Sequence, residues 1–166
     1  MTTATSMKSP DFPQRTPVRD RASGTNYSVA HLGSPSELTQ YAVTHPLLKR
    51  EVPGKVFLKA PLDLTAMEIS YGVLPAKMSI PFYHKHQQNE EVYLILSGSG
   101  EFQVDGETFP VKQGSVVRVA PDGVRCCRNT SEEPMLHVVI QAKHGTLEQW
   151  TGTDGVGVPD AVTWPE

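Results

Sequence analysis

The residues best equipped for chemistry lie between Tyr83 and Gly98, in the run YHKHQQNEEVYLILSG. His84 and His86 are two apart, so an extended backbone sets both imidazoles on one face. A short polar break, Gln87-Gln88-Asn89, follows, and Glu91 then opens an apolar strand. If that break turns the chain back on itself, Glu91 lies opposite the histidines across a hairpin. Two imidazoles and one carboxylate on neighbouring strands suit a divalent metal ion. Lys85 alternates with the histidines and points away from the ion.

Strands must position these groups, and strand signals dominate from residue 55 onward. Candidates are Lys55 to Lys59, Thr65 to Leu74, Glu91 to Leu96, Glu101 to Val104, Thr108 to Val111, Ser115 to Val119, Val124 to Arg128 and Leu136 to Gln141. Pro75 and Pro81 bracket another short piece. Asp105-Gly106 is a hairpin-turn signal. Short strands at about 8–12-residue spacing with turn residues between them predict an all-β, antiparallel sandwich or barrel.

The flanks read differently. Residues 1–24 hold Pro10, Pro13 and Pro17 with few apolar anchors, and are expected as a flexible tail. Residues 25–150 are expected to form the barrel with an N-terminal strand and helix. The strand falls between Asn26 and Leu32. The short helix starts at Ser34, with Pro35 in its first turn, Glu37 three after the cap, and Leu38, Tyr41 and Ala42 at helical spacing. His45-Pro46 ends it. Residues 151–166 are expected as a coil packed on the barrel, with Trp150 and Trp164 pinning the C-terminal segment.

Composition narrows the function classes. The chain has 166 residues, enough for one domain with a real core, and a formal net charge of -3. No basic field attracts nucleic acid. No apolar run approaches the ~20 residues of a membrane span, and no signal-peptide core opens the chain. The two cysteines, Cys126 and Cys127, are adjacent and make no disulfide framework. A cytoplasmic, reduced protein is expected.

Residues 72–98 resemble the first conserved motif of the cupin family: a glycine, an H-x-H pair, a glutamate and a further glycine. His84 and His86 match the pair, Glu91 the glutamate and Gly98 the closing glycine, while the upstream glycine is displaced to Gly72. Residues 114–129, GSVVRVAPDGVRCCRN, resemble the second motif through Gly114, Pro121, Gly123 and Asn129. Its histidine is missing, and Cys126 stands where the fourth metal ligand normally sits. The resemblance covers about half of the chain. It implies an antiparallel double-stranded β-helix, the cupin or jelly-roll barrel, around a divalent Fe, Mn, Ni or Zn ion.

That departure leaves two ligand sets open. A Cys126 thiolate would complete a neutral four-ligand site biased towards Zn, Fe or Cu. Without it, His84, His86 and Glu91 form a two-histidine, one-carboxylate triad with open positions, suited to non-haem Fe(II) and oxygen. His137 is a further candidate, although strand parity does not fix its direction. If Glu91 points inward, Tyr93 and Ile95 do too. Arg118 and Arg125 are read as solvated or ion-paired, or else as positive charge at the mouth. His31, His45 and His144 fall in expected loops or element ends and receive no role.

Val92, Leu94 and Leu96 then point outward, and an apolar exterior needs a cover, either the N-terminal segment or a second copy in a homodimer. The functional expectation is a metal-binding barrel for a small-molecule ligand, in its sharpest form an oxygenase-type or isomerase metalloenzyme. The alternative is a non-catalytic metal- or metabolite-binding barrel.

Overall fold

A computed structural model describes residues 13–46 and 48–165. Twelve strands account for nearly all its regular structure. A five-stranded antiparallel sheet has the order β10 (Val116–Val119), β7 (Asn89–Ser97), β12 (Met135–Lys143), β6 (Met67–Leu74), β5 (Lys55–Phe57). A three-stranded sheet has the order β11 (Arg125–Asn129), β8 (Ser99–Val104), β9 (Glu107–Lys112). Two small hairpins precede them: β1 (Arg21–Ser23) with β2 (Ser28–Ala30), and β3 (Ala42–His45) with β4 (Arg50–Pro53). The expected strands therefore form, with one exception: the piece between Pro75 and Pro81 makes only a single bridge, Ser79 to Arg128.

Alternation along the strands builds the interior. Tyr93, Ile95, Val119, Met135 and Val139 from the large sheet meet Phe102, Val111 and Cys127 from the small one in one apolar cluster. Tyr93 packs edge-on to Phe102 with ring centroids 4.8 Å apart. Burying each such side chain contributes roughly 1.5–3 kcal/mol.

The large sheet is apolar on its other face too, and the N-terminal segment covers part of it. Val18, Leu38, Tyr41, Val56, Leu58 and Leu136 form a second cluster, with Ala30, Leu32, Ile69, Tyr71 and Val73 packed against it. The cover stops short of the far edge, where Leu96 is 39% and Val116 63% exposed.

Three expectations about the flanks change. Residues 1–12 of the expected tail lie outside the described residues, but 13–24 contribute β1 and the buried Val18, and Gln14 bridges to Val43. A few apolar anchors suffice there because the sheet already presents an apolar surface.

The expected helix is a single 3-10 turn, Glu37–Gln40. Glu37 does reach back to Ser34, accepting from its backbone N–H and its hydroxyl, both at 2.7 Å. Tyr41 is already extended and leads into β3, so no second turn follows. The tryptophans do not pin the C-terminal segment: Trp150 is 65% and Trp164 85% exposed, and only a four-residue turn, Thr151–Asp154, is regular. Among the described residues no helix is long and apolar enough to cross a membrane.

Two residues of the motif frame have structural duties. Gly98 has φ +80°, and a Cβ there would lie 2.9 Å from the Met135 Cα, so only glycine fits. Asn129 is 2% exposed, and its side chain is saturated. Its amide donates to Leu74, Pro75 and Glu133 carbonyls at 3.0, 3.1 and 2.7 Å, while its oxygen accepts from the Ser131 N–H and hydroxyl. It ties the end of β11 to the end of β6. Asn129→Ala strands several buried carbonyls and is expected to cost about 2–4 kcal/mol, read as a lower urea midpoint with unchanged m-value. A loss under about 0.5 kcal/mol would show that water takes over these bonds.

Candidate metal centre

His84 and His86 do not sit across a hairpin from Glu91. The segment carrying them runs beside β11 as a broken strand: the Ile80 N–H donates to the Cys127 carbonyl, His84 and Arg125 exchange both backbone bonds, and the His86 N–H donates to the Pro121 carbonyl. Pro81 has no N–H, so the ladder is interrupted there. Glu91 lies on β7, whose partners are β10 and β12. The histidines thus hang from the small sheet, the carboxylate from the large one, and they meet in the space between.

Their ligand atoms all fall within 4.8 Å of one another, so His84, His86 and Glu91 could hold a metal ion. His86 Nε2 is 3.0 Å and His84 Nε2 3.7 Å from the nearer carboxylate oxygen. His86 Nε2 is buried, yet it makes no hydrogen bond. A ring nitrogen this close to a carboxylate oxygen without a bond to it fits two donors converging on a third atom. The donor set fits a divalent ion with open positions.

The two carboxylate oxygens of Glu91 have different surroundings. Oε2 accepts from the Tyr93 hydroxyl at 2.6 Å and from Arg125 Nε and Nη2 at 3.0 and 2.7 Å. Oε1 faces His86. Burial alone would raise the Glu91 pKa, but the approach of His84 and His86 and the Tyr93 phenol outweigh it and hold the carboxyl well below the usual range. The carboxylate is therefore held in its ionised form.

Arg125 is the residue that spacing did not single out. It is fully buried, and Nη1 donates to the Gly123 and Pro121 carbonyls at 2.9 and 3.3 Å, while its remaining bonds go to Glu91. Of its sequence readings, the ion pair is the one that holds, but it lies in the interior with Glu91 and not on the surface or at the mouth. Cys126 takes the opposite face. It pairs with Gln103, whereas Cys127 pairs with Phe102 of the core, and its thiol lies 3.1 Å from the Ile80 carbonyl. The structure brings Arg125, and not Cys126, to the triad. In a strand the neighbours of an inward residue point outward, and one position decides between ligand and bystander.

The other site residues separate as follows. Tyr93 points inward as expected, but its hydroxyl is committed to Glu91, and burial together with that charge raises its pKa well above the usual value. It positions the carboxylate. Ile95 faces inward and belongs to the apolar core. His137 is 7% exposed and inward, with its ring over Gly72, outside the ligand group. A register shift between Leu136 and His137 sets its direction. Arg118 is on the outer face, bound to Glu90 at 2.6 Å.

The fold is shared with known proteins. Residues 71–141 match the model of the cupin domain. The structure is similar to that of a cupin protein from Bacteroides fragilis, with 45% identity, a TM-score of 0.61, and coverage of 63% of this chain and 88% of that one. It also resembles a predicted oxalate decarboxylase from Thermotoga maritima, with 27% identity, a TM-score of 0.50, and coverage of 57% and 83%. An uncharacterized protein of Methanocaldococcus jannaschii is 36% identical over 52 residues, which is 31% of this chain and only 42% of that relative. With the cupin-domain match and the Bacteroides cupin 45% identical and matched over 88% of its length, the chain belongs to the cupin family.

Proposed function

We propose that the chain binds one divalent metal ion through His84, His86 and Glu91 and presents it to a small organic molecule. The observation that carries this reading is the close, unbonded approach of His86 Nε2 to Glu91. Arg125 and Tyr93 fix the carboxylate through Oε2, leaving Oε1 for the ion. A metal in this three-ligand set supplies open positions at which a substrate is polarised or dioxygen activated, which suits an oxygenase-type enzyme. The histidine side chains keep 27% and 26% of their surface exposed, so the ligand group is not sealed from solvent. The Thermotoga protein, described as a predicted oxalate decarboxylase, is in keeping with chemistry on a small molecule.

One observation favours a second reading. Arg125 brings a positive charge directly onto Glu91, where it competes with a cation. A non-catalytic barrel that binds a metabolite without metal follows from that pair.

Metal analysis of protein purified without chelator separates the two. Near-stoichiometric metal is expected in wild type and in Cys126→Ala, and its loss in His86→Ala. Loss in Cys126→Ala would bring that thiol into the ligand set. No metal in reconstituted wild type would overturn the metal reading and leave the metabolite-binding barrel.

A further inference from the structure

Lys55 is the group that nothing above uses. It opens β5, and because Val56 is buried in the N-terminal cluster, Lys55 and Phe57 face the other way, into the barrel. Its Nζ donates to Ser70 Oγ at 2.9 Å and stands 5.2 Å from the centre of the Phe57 ring. An ammonium has three donors, and among the described residues no carboxylate pairs with this one. Lys55 is partly buried, and charges withdrawn from water are normally paired, because desolvation otherwise drives them towards neutrality.

Register sets this cation in line with His137, and its charge couples to Glu91 of the metal group. Lys55 and His137 both pair with Gly72, so the three form one inward row across β5, β6 and β12. Gly72 leaves the space that the His137 ring fills. The Lys55 charge is felt by Glu91 in the triad, by His137, and by His45, which itself feels His84. Burial lowers the Lys55 pKa to about 8, so the ammonium is still mostly protonated at neutral pH. Arg125 offers nothing to a ligand here, since its bonds go to Glu91 and two carbonyls.

We propose that Lys55 is the anion anchor of this barrel: the small molecule that reaches His84, His86 and Glu91 carries a carboxylate, which Lys55 holds with Ser70 beside it. The substrate class is thus a small organic acid, a conclusion that rests on the metal-centre reading for the position of the acid's other end. A single cation next to a neutral imidazole matches one negative charge. A phosphate would call for several donors or a bidentate arginine.

Calorimetry on the full chain, both Mn(II)-loaded and metal-free, tests this with pyruvate and its neutral counterpart pyruvamide. Pyruvate is expected to bind metal-loaded wild type and to bind Lys55→Met roughly 10- to 100-fold more weakly, with Lys55→Arg keeping most of the affinity. Pyruvamide should not distinguish wild type from Lys55→Met. Metal content should be the same in all three proteins, and Lys55→Gln replaces Lys55→Met if the latter does not fold. Equal pyruvate affinity in wild type and Lys55→Met would overturn the inference, as would tight pyruvamide binding or no pyruvate binding at all. If wild type takes up no Mn(II) but metal-free protein still binds pyruvate through Lys55, the metal reading falls and the anion anchor stands.

Discussion

Arg125→Met is expected to lower the unfolding free energy by about 3–5 kcal/mol, the cost of removing one partner from a buried ion pair. The guanidinium is fully buried and makes two bonds to Glu91 Oε2 and two to backbone carbonyls. Methionine matches its length and none of its donors. Glu91 is then left ionised in the interior with only the Tyr93 hydroxyl on that oxygen. Thermal unfolding should shift down by roughly 10 °C.

Arg125→His tests the same position from the other side. It removes the competing charge and sets an imidazole at the inward position that faces Glu91, so metal should bind at least about tenfold more tightly than to wild type. Stability of Arg125→Met within about 1 kcal/mol of wild type would show that Glu91 needs no cation. Unchanged metal affinity in Arg125→His would show that Arg125 does not compete with the ion.

The second large effect is acid lability centred on His137. Burial, with the Lys55 charge nearby, lowers its pKa from 6.5 to about 3. Between those values the unfolded chain binds a proton that the folded chain refuses, so acid favours unfolding. The neutral imidazole costs nothing in this respect above pH 6.5, and stability drains away as pH falls towards 3. From pH 7 to pH 4 this one residue removes roughly 3 kcal/mol. His137→Leu keeps an apolar body on Gly72 and has no proton to take up. Urea unfolding at pH 7, 5.5 and 4 should therefore show a pH dependence about 3 kcal/mol shallower in the variant. The same slope in both proteins would mean that His137 titrates normally and is not shut away from water.

The chemistry of the centre was legible and its construction was not. The spacing of His84, His86 and Glu91 singled out the candidate ligands, because two-residue alternation and a carboxylate opening an apolar strand are local properties. Which strands face one another is not local. The break at Gln87-Gln88-Asn89 looks like a hairpin turn, but the chain crosses there from one sheet to the other. Placed from the Pro121–Gly123 turn, the second-motif ligand position falls on Cys126, and only the pairing of Cys127 with Phe102 reveals that the inward neighbour is Arg125.

Lys55 escaped for a different reason. A strand with apolar residues on both sides, Val56 and Leu58 against Phe57, has no polar face to mark its outside, since the N-terminal segment covers that face. A lysine in such a strand looks like the solvent side when it is the inner one. The sandwich itself was read from turn chemistry and strand spacing, which depend only on neighbouring residues.

Because the histidines hang from one sheet and Glu91 from the other, no short peptide cut from this chain contains the centre, even though His86 and Glu91 are close in sequence. An ion held there rivets the two sheets, so capture has to follow folding. On the metal reading, the chain would reach its native arrangement without the ion, and an ion bound afterwards would slow the separation of the sheets. Metal supplied during refolding should leave the folding rate unchanged and reduce the unfolding rate alone.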